Sequence, residues 1–302
     1  MRIILTGPTA SGKTGLSLKL AGALNCPVIS ADSRQCYRYM DIGTGKVTAA
    51  EMARIPHFNI SIFDPDEKDH AAAFARRCTQ WEAEIREQSP HVIYAGGSTL
   101  YLESLLRPLD DMPDASASNL DELERLESQK GGEYLLDRLR MADPEYAGRM
   151  DGYNRQRTFR ALDVWMQTGK PFSSFHRQEQ RRIPEQTLVF GLHHPREILY
   201  ERINKRVDKM IGSGLVDEVG AIMDRGYKVE AHALQTVGYR EVISYFRKEL
   251  TLDAMVEKIK TNSRRYAKRQ LTWFRRWDFL QWLEGPDPDL ADVICKQVAD
   301  QS

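Results

Sequence analysis

Gly7-Pro8-Thr9-Ala10-Ser11-Gly12-Lys13-Thr14 is the stretch that decides the fold. It reads G-x-x-x-x-G-K-T and lies between an apolar run, Arg2 to Thr6, and a helical pattern from about Gly12 to Leu24. In such a loop the glycines let backbone N–H groups close around phosphates, and the helix start adds partial positive charge. Lys13 can reach the outer phosphates, and the Thr14 hydroxyl is placed to ligate Mg²⁺. Gly7, Thr9, Ala10, Ser11, Gly12, Lys13 and Thr14 are therefore the candidate phosphate-binding residues, with Thr14 the candidate metal ligand. The loop reads a di- or triphosphate without specifying a nucleotide.

Outward from the loop, strand and helix patterns alternate. Val28-Ile29-Ser30-Ala31 is a second strand, ending at Asp32; a helix is expected from about Ala71 to Glu87; Val92-Ile93-Tyr94-Ala95 is a third strand, stopped by Gly96-Gly97. This alternation predicts an α/β fold, a parallel sheet with helices on both faces, its site beyond the carboxyl ends of the strands. From about Pro113 to Arg182 no strand pattern is visible, and the segment reads as a helical insertion. Thr187 to Leu192 returns as a strand. A helix after Pro195 carries Ile198, Leu199, Ile203, Val207, Met210 and Ile211 on one side, closed by Gly212-Ser213-Gly214. The expected division is a core of residues 1–112 and 184–302, interrupted by an insertion domain of residues 113–183.

The 302 residues balance 43 Lys plus Arg against 43 Asp plus Glu. Hydrophobic residues make up 41% and charged residues 28%, which excludes disordered, collagen-like and disulfide-scaffold classes. No stretch has the ~20 apolar residues of a membrane span, and Ile3-Ile4-Leu5 is too short for a signal peptide. Cys26, Cys36, Cys78 and Cys295 form no C-x-x-C pair, which fits a reducing cytoplasm and gives no zinc pattern. Neutrality hides local charge. Asp110 to Glu127 is acidic, whereas Asp151 to Arg182 and Val256 to Trp277 are basic.

The usual NTPase partners of the loop are missing. Tyr94-Ala95-Gly96-Gly97 has no metal-orienting carboxylate, Asn204-Lys205-Arg206-Val207 lacks the final Asp of N-K-x-D, and Asp217 to Gly220 matches D-x-x-G inside an expected helix. A switch GTPase is thereby disfavoured, while a small-molecule kinase stays open. Asp32, in Asp32-Ser33-Arg34-Gln35-Cys36-Tyr37, can act as a Mg²⁺-water ligand, accept a proton from a nucleophile, or simply cap a helix.

The phosphate loop and the D-S-x-Q-x-Y box at Asp32 resemble the tRNA dimethylallyltransferase (tRNA isopentenyltransferase) family. So do Gly43-Thr44-Gly45-Lys46 with Pro56-His57, Gly96-Gly97-Ser98-Thr99-Leu100-Tyr101, and Asn154 to Leu162. Thr168-Gly169-Lys170-Pro171, Thr236-Val237-Gly238-Tyr239-Arg240-Glu241 and Ala267 to Arg275 complete the set. The boxes follow the family's order from residue 3 to about 277, and their combination is what makes the resemblance specific.

The resemblance implies a P-loop NTPase-like fold. It also implies transfer of a dimethylallyl group from dimethylallyl diphosphate to N6 of the adenosine adjacent to the anticodon in tRNA, with Mg²⁺ as cofactor. Asp32 becomes the general base, and Ser98 and Arg206 join it as catalytic residues, Arg206 on the diphosphate. Asp32, Ser33, Arg34 and Gln35 would touch the tRNA, as would Gln156, Arg157 and Arg160. Ser98 stands where the family usually has Thr, keeping the hydroxyl; Thr99 stands where it usually has Gly, adding bulk. The zinc finger that some eukaryotic relatives append is absent, so a bacterial or organellar short form is expected; the protein is also expected to be cytoplasmic and monomeric. A free-adenylate isopentenyltransferase is the alternative; it would share the loop and Asp32 but not need the insertion.

A loop adenosine must leave its stack before chemistry reaches N6, and single-stranded loops are held by aromatic and arginine planes plus phosphate-binding cations. Arg264-Arg265-Tyr266 through Lys268-Arg269 to Trp273-Phe274-Arg275-Arg276-Trp277 interleaves such residues. Arg264, Lys268 and Arg269 are therefore candidate tRNA contacts, with core packing as the competing reading for the aromatics. His193-His194 has no metal partner and is expected to pack at a strand end. His57 has no evident role.

Overall fold

The computed structural model describes residues 1–107, 112–175, 183–285 and 289–301. In chain order, the first part runs β1 (Arg2–Thr6), α1 (Lys13–Leu24), β2 (Val28–Ser30), α2 (Ala49–Arg54), β3 (His57–Phe58), α3 (Ala71–Arg86), β4 (Val92–Ala95) and α4 (Thr99–Leu106). Then come α5 (Ala117–Lys130), α6 (Gly132–Ala142), α7 (Pro144–Gly148) and α8 (Arg155–Thr168). The chain returns through β5 (Thr187–His193), α9 (Arg196–Gly212), α10 (Leu215–Asp224), α11 (Tyr239–Phe246), α12 (Leu252–Phe274), β6 (Gln281–Glu284) and α13 (Leu290–Asp300).

Among the described residues the strands form one sheet, ordered β3-β2-β4-β1-β5-β6, with every pairing parallel. Both faces are covered, which is why its strands read as continuous apolar runs rather than alternating ones. Ile3, Leu5, Ile93 and Phe190 pack on one side with Leu16, Leu20 and Ala21 of α1 and Ile294 and Val298 of α13. Ile4, Tyr94 and Val189 point the other way, against Phe74 and Cys78 of α3, Leu102 of α4, and Phe274. The order places β1 between β4 and β5, so the loops after β1, β2, β4 and β5 all open at one edge, where ligands bind in such sheets.

The chain divides into two compact units, Met1–Arg107 with Arg182–Ser302, and Pro108–Arg181. The second unit has its own core, built from Leu123, Leu126, Leu135, Leu139, Phe159 and Leu162. Its buried Asp163 accepts hydrogen bonds from the side chains of Asn119 and Gln167, tying α5 to α8.

Two strands escape the sequence reading, β3 and β6. β3 is two residues long, and β6 is a half-exposed edge strand without an apolar run. On α9, Leu199, Ile203 and Val207 are buried at i, i+4 spacing, but Ile198 is 44% exposed. One residue rotates the side chain about 100° around a helix, so Ile198 falls off the apolar stripe expected to include it. Asp217 to Gly220 does lie in a helix, α10. No helix among the described residues is long and apolar enough to cross a membrane.

Candidate active site

The G-x-x-x-x-G-K-T loop is bent by backbone conformations that few side chains tolerate. Gly7 has φ +138° and Gly12 φ +101°, and a Cβ at Gly7 would fall on the Leu192 backbone of β5. Its carbonyls are pinned from within and from outside. Lys13 Nζ donates to Gly7 O (3.0 Å) and Pro8 O (2.7 Å), Arg202 Nε donates to Ala10 O (2.8 Å), and His194 Nε2 lies 2.8 Å from Ser11 O. α1 is capped by Gly12, which has no side chain to bond its first N–H groups and so leaves them to a ligand.

A cleft of about 660 Å³ opens over this loop. The tip of β2 contributes Asp32, Ser33, Arg34 and Gln35, and α9 contributes Arg202, Lys205 and Arg206. Asp32 does not cap a helix, as one reading of the sequence had it. Its Oδ1 accepts the N–H groups of Arg34 (2.8 Å) and Gln35 (3.4 Å) in a tight turn. Its other oxygen accepts no hydrogen bond among the described residues. Arg206 is half-buried rather than a solvated helix charge, and its Nη2 donates to Thr44 O at 3.0 Å. That carbonyl belongs to a loop whose N–H groups at Asp41, Ile42 and Gly43 all donate to the Glu218 carboxylate.

The two inner cations are forced close together. Burial, reinforced by Arg206 and opposed by Asp32, pushes the Lys13 ammonium down to about 7. Burial also pulls the Arg206 guanidinium below its ordinary value, again against Asp32. A pocket that holds two cations at such a cost is complementary to a polyanion. Thr14 is exposed in the same cleft as Asp32, and among the described residues no cluster of three metal-binding side chains exists. The Thr14 hydroxyl and the Asp32 carboxylate are the hard oxygen donors present there, the ligand type Mg²⁺ takes.

Ser98 precedes α4; its N–H donates to Ala31 O (3.2 Å), beside Asp32, and its hydroxyl makes no cap bond. Thr99 is absorbed as the first residue of α4. Along α12, Lys268 and Arg269 are exposed, whereas Arg264 donates to Asn204 Oδ1 (2.7 Å) on α9. In the second unit, Gln156 and Arg157 are exposed at the start of α8, while Arg160 is held by Asp163 and Pro113 O. His194 packs at the strand end as expected, and His57 lines the cleft with Nδ1 2.7 Å from Ile55 O.

Sequence reasoning missed Gln270. It is 3% exposed; its Nε2 donates to Gly97 O (2.8 Å), and its Oε1 accepts from Thr9 N (2.9 Å). One side chain thus ties the phosphate loop to the loop after β4. Its sequence signal is faint: a polar residue on the face of a basic helix that otherwise packs inward. Arg202, His194 and Glu218 were also passed over as parts of the site's support.

Residues 35–277 match the IPP transferase family. A tRNA dimethylallyltransferase 1 from Citrifermentans bemidjiense is 43% identical over 285 residues, 94% of this chain and 92% of that protein. The crystal structure of a full-length tRNA isopentenylpyrophosphate transferase from Bacillus halodurans is similar with a TM-score of 0.72 at 36% identity, over 99% of this chain and 97% of that one. A eukaryotic dimethylallyltransferase acting on tRNA gives a TM-score of 0.83 at 26% identity, over 99% of this chain and 77% of that one. With residues 35–277 matching the family and a relative 43% identical over 94% of its length, the chain belongs to the IPP transferase family.

Proposed function

We infer that the protein transfers a dimethylallyl group from dimethylallyl diphosphate to N6 of the adenosine adjacent to the anticodon in tRNA, releasing diphosphate. The observation that carries the mechanism is one cleft in which Lys13 and Arg206 face a single carboxylate, Asp32, at the tip of β2. The loop from Gly7 to Thr14 holds the diphosphate of the donor, and Lys13 and Arg206 take up the charge that grows on it as the C1–O bond breaks. N6 forms the new bond to C1. Its lone pair is delocalised into the ring, so its proton must be removed, and Asp32 accepts it. Thr14, with Asp32 near it, would hold Mg²⁺, which when bound supplies further charge neutralisation at the leaving group.

Ser33, Arg34 and Gln35 line the acceptor side with Asp32. Ser98, whose N–H is tied to Ala31 O beside Asp32, is not among the residues lining the cleft, and its hydroxyl would have to turn inward to meet the substrate. Gln156 and Arg157 on α8, and Lys268 and Arg269 on α12, are the exposed candidates for RNA phosphates. Arg160 and Arg264 would have to exchange an internal partner for RNA. A cytoplasmic monomer is the working form in this reading.

The test is labelled dimethylallyl diphosphate with Mg²⁺, offered unmodified tRNA and AMP in parallel. Label is expected in tRNA alone; label in AMP alone would move the protein to the free-nucleotide branch. Asp32→Asn should cut transfer roughly 10²- to 10⁴-fold with tRNA affinity retained. Full activity in that variant would remove Asp32 from the role of base.

A further inference from the structure

The aromatic residues interleaved with bases along α12 separate sharply in their surroundings. Phe274 is fully buried and Trp277 is 3% exposed, both in the core under the sheet, with Trp273 packed against them. Tyr266 is 38% exposed and lines the cleft. It shares a helix face with Ile259, Ser263 and Gln270, which also line it, at the three- and four-residue spacing that stacks side chains on one side of a helix. The other ring in the cleft lining is His57, whose Nδ1 is already engaged at Ile55 O.

Tyr266 both lines the cleft and has a cation near its ring. The Arg269 guanidinium lies 5.8 Å from its ring centroid. The charged groups acting on its phenol are Asp32, Arg34 and Arg269, those of the acceptor side. Burial, then Asp32, pushes the phenol up to about 12, so it stays protonated and does not compete with Asp32 as a base.

We propose that the Tyr266 ring is the platform on which the acceptor adenine stacks once it leaves the RNA loop, holding the flipped base with N6 toward Asp32. This rests on the tRNA reading above and deepens it. Extruding a base forfeits its stacking on both neighbours, and an aromatic face returns part of that loss without reading the base's edge. It leaves the Watson–Crick edge, where N6 sits, open to Asp32. The proposal assigns the work to the ring face and not to the phenol hydroxyl.

The experiment uses the full chain, dimethylallyl diphosphate and an anticodon stem-loop RNA, with 2-aminopurine replacing the acceptor adenosine for fluorescence. Tyr266→Phe should keep kcat/KM on the unsubstituted stem-loop within about threefold, because the ring face survives. Tyr266→Leu should lose roughly 5- to 100-fold, with the Kd for inorganic pyrophosphate unchanged. Bound to the wild-type protein, 2-aminopurine should stay quenched by stacking, and it should brighten in Tyr266→Leu. Loss in Tyr266→Phe equal to that in Tyr266→Leu would assign the work to the hydroxyl. Undiminished activity in Tyr266→Leu, or bright 2-aminopurine on the wild-type protein, would refute the platform. A wild-type protein that transfers nothing to the unsubstituted stem-loop would sink the transferase reading itself, and the platform with it.

Discussion

Replacing Gln270 with Met should slow the reaction far more than it weakens either substrate's binding. The side chain volumes are close, so the core of α12 keeps its packing while both hydrogen bonds are lost. Gly97 is buried, and its carbonyl would lose the donor at 2.8 Å. An unsatisfied buried carbonyl costs about 1–3 kcal/mol. Thr9 is half-buried, so its N–H, now 2.9 Å from Oε1, can turn to cleft water and costs less, about 0.5–1 kcal/mol. Together about 1.5–4 kcal/mol of restraint disappears from the junction between the phosphate loop and the loop leading to Ser98. If that restraint holds donor and acceptor in register, most of it is lost in the transition state, or roughly 10- to 300-fold in kcat.

The assay is single-turnover transfer to tRNA with both substrates saturating, beside the Kd for inorganic pyrophosphate. Lys13 and Arg206 are untouched, so that Kd should stay within about threefold. Thermal unfolding should fall as well, since the bonds are also structural, at roughly 2–4 °C per kcal/mol for a domain of this size. Gln270→Glu separates the two ends: a carboxylate still accepts from Thr9 N–H but cannot donate to Gly97 O, and it sets negative charge beside the diphosphate. Pyrophosphate affinity should fall in Glu and not in Met. Wild-type kcat in Gln270→Met, or a loss carried wholly by pyrophosphate affinity, would refute the alignment argument.

Three other perturbations probe the support of the cleft. Lys13 has a folded pKa of about 7 against an ordinary 10.5, so the unfolded chain holds the extra proton between those values. Stability of the free protein should therefore rise with pH from about 7 to 10.5, flattening in Lys13→Met; pyrophosphate binding at pH 8 should draw in a proton, read by calorimetry in two buffers of different ionisation enthalpy. Gly45 has φ +60°, and a Cβ there would meet the Arg206 guanidinium. Gly45→Ala should weaken pyrophosphate binding about tenfold, and the loss should shrink in an Arg206→Met background if the clash is its cause. Glu218→Gln removes the charge that gathers three N–H groups and the Tyr239 hydroxyl. Urea unfolding should show a loss of about 1.5–3 kcal/mol, and an unchanged midpoint would mean the amide serves as well.

Much of the core was legible because the buried parallel strands announce themselves as unbroken apolar runs. Arg2–Thr6, Val92–Ala95 and the return strand at Thr187 stand within a residue of their expected bounds. β3 and β6 were not legible, since short edge strands need no apolar run of their own. The same division runs through the site. Residues proposed to meet the ligand directly, such as Lys13 and Asp32, sit in local motifs and can be read from spacing. Gln270, Arg202, His194 and Glu218 act across 173 to 261, 192, 183 and 175 to 177 residues of chain respectively, and no local pattern encodes such partnerships. The aromatics of α12 show the limit of pattern most clearly. Tyr266 and Phe274 look alike in sequence, and only their position on the helix face puts one in the cleft and the other in the core.

The glycines after β4 explain how a phosphate loop can serve this chemistry without the apparatus of an NTPase. A Cβ at Gly96 would overlap the Ala31 backbone, and one at Gly97 would meet the Gln270 amide. At Gly96, at the end of β4 where an NTPase of this architecture would place its metal-orienting carboxylate, the backbone contact leaves no room for a side chain. β2 and β4 are adjacent and parallel, with Ser30 in register with Ala95. The close packing of Gly96 on Ala31 brings the next residue, Asp32, to the edge of the cleft in place of that carboxylate. Among the described residues lining the cleft, Asp32 is the one carboxylate against Lys13, Arg34, Arg202, Lys205 and Arg206. A chain with no net charge thus concentrates cations where a diphosphate would sit, and the crowding at Gly96 leaves Asp32, just past the end of the neighbouring strand, as the one carboxylate among the described lining residues.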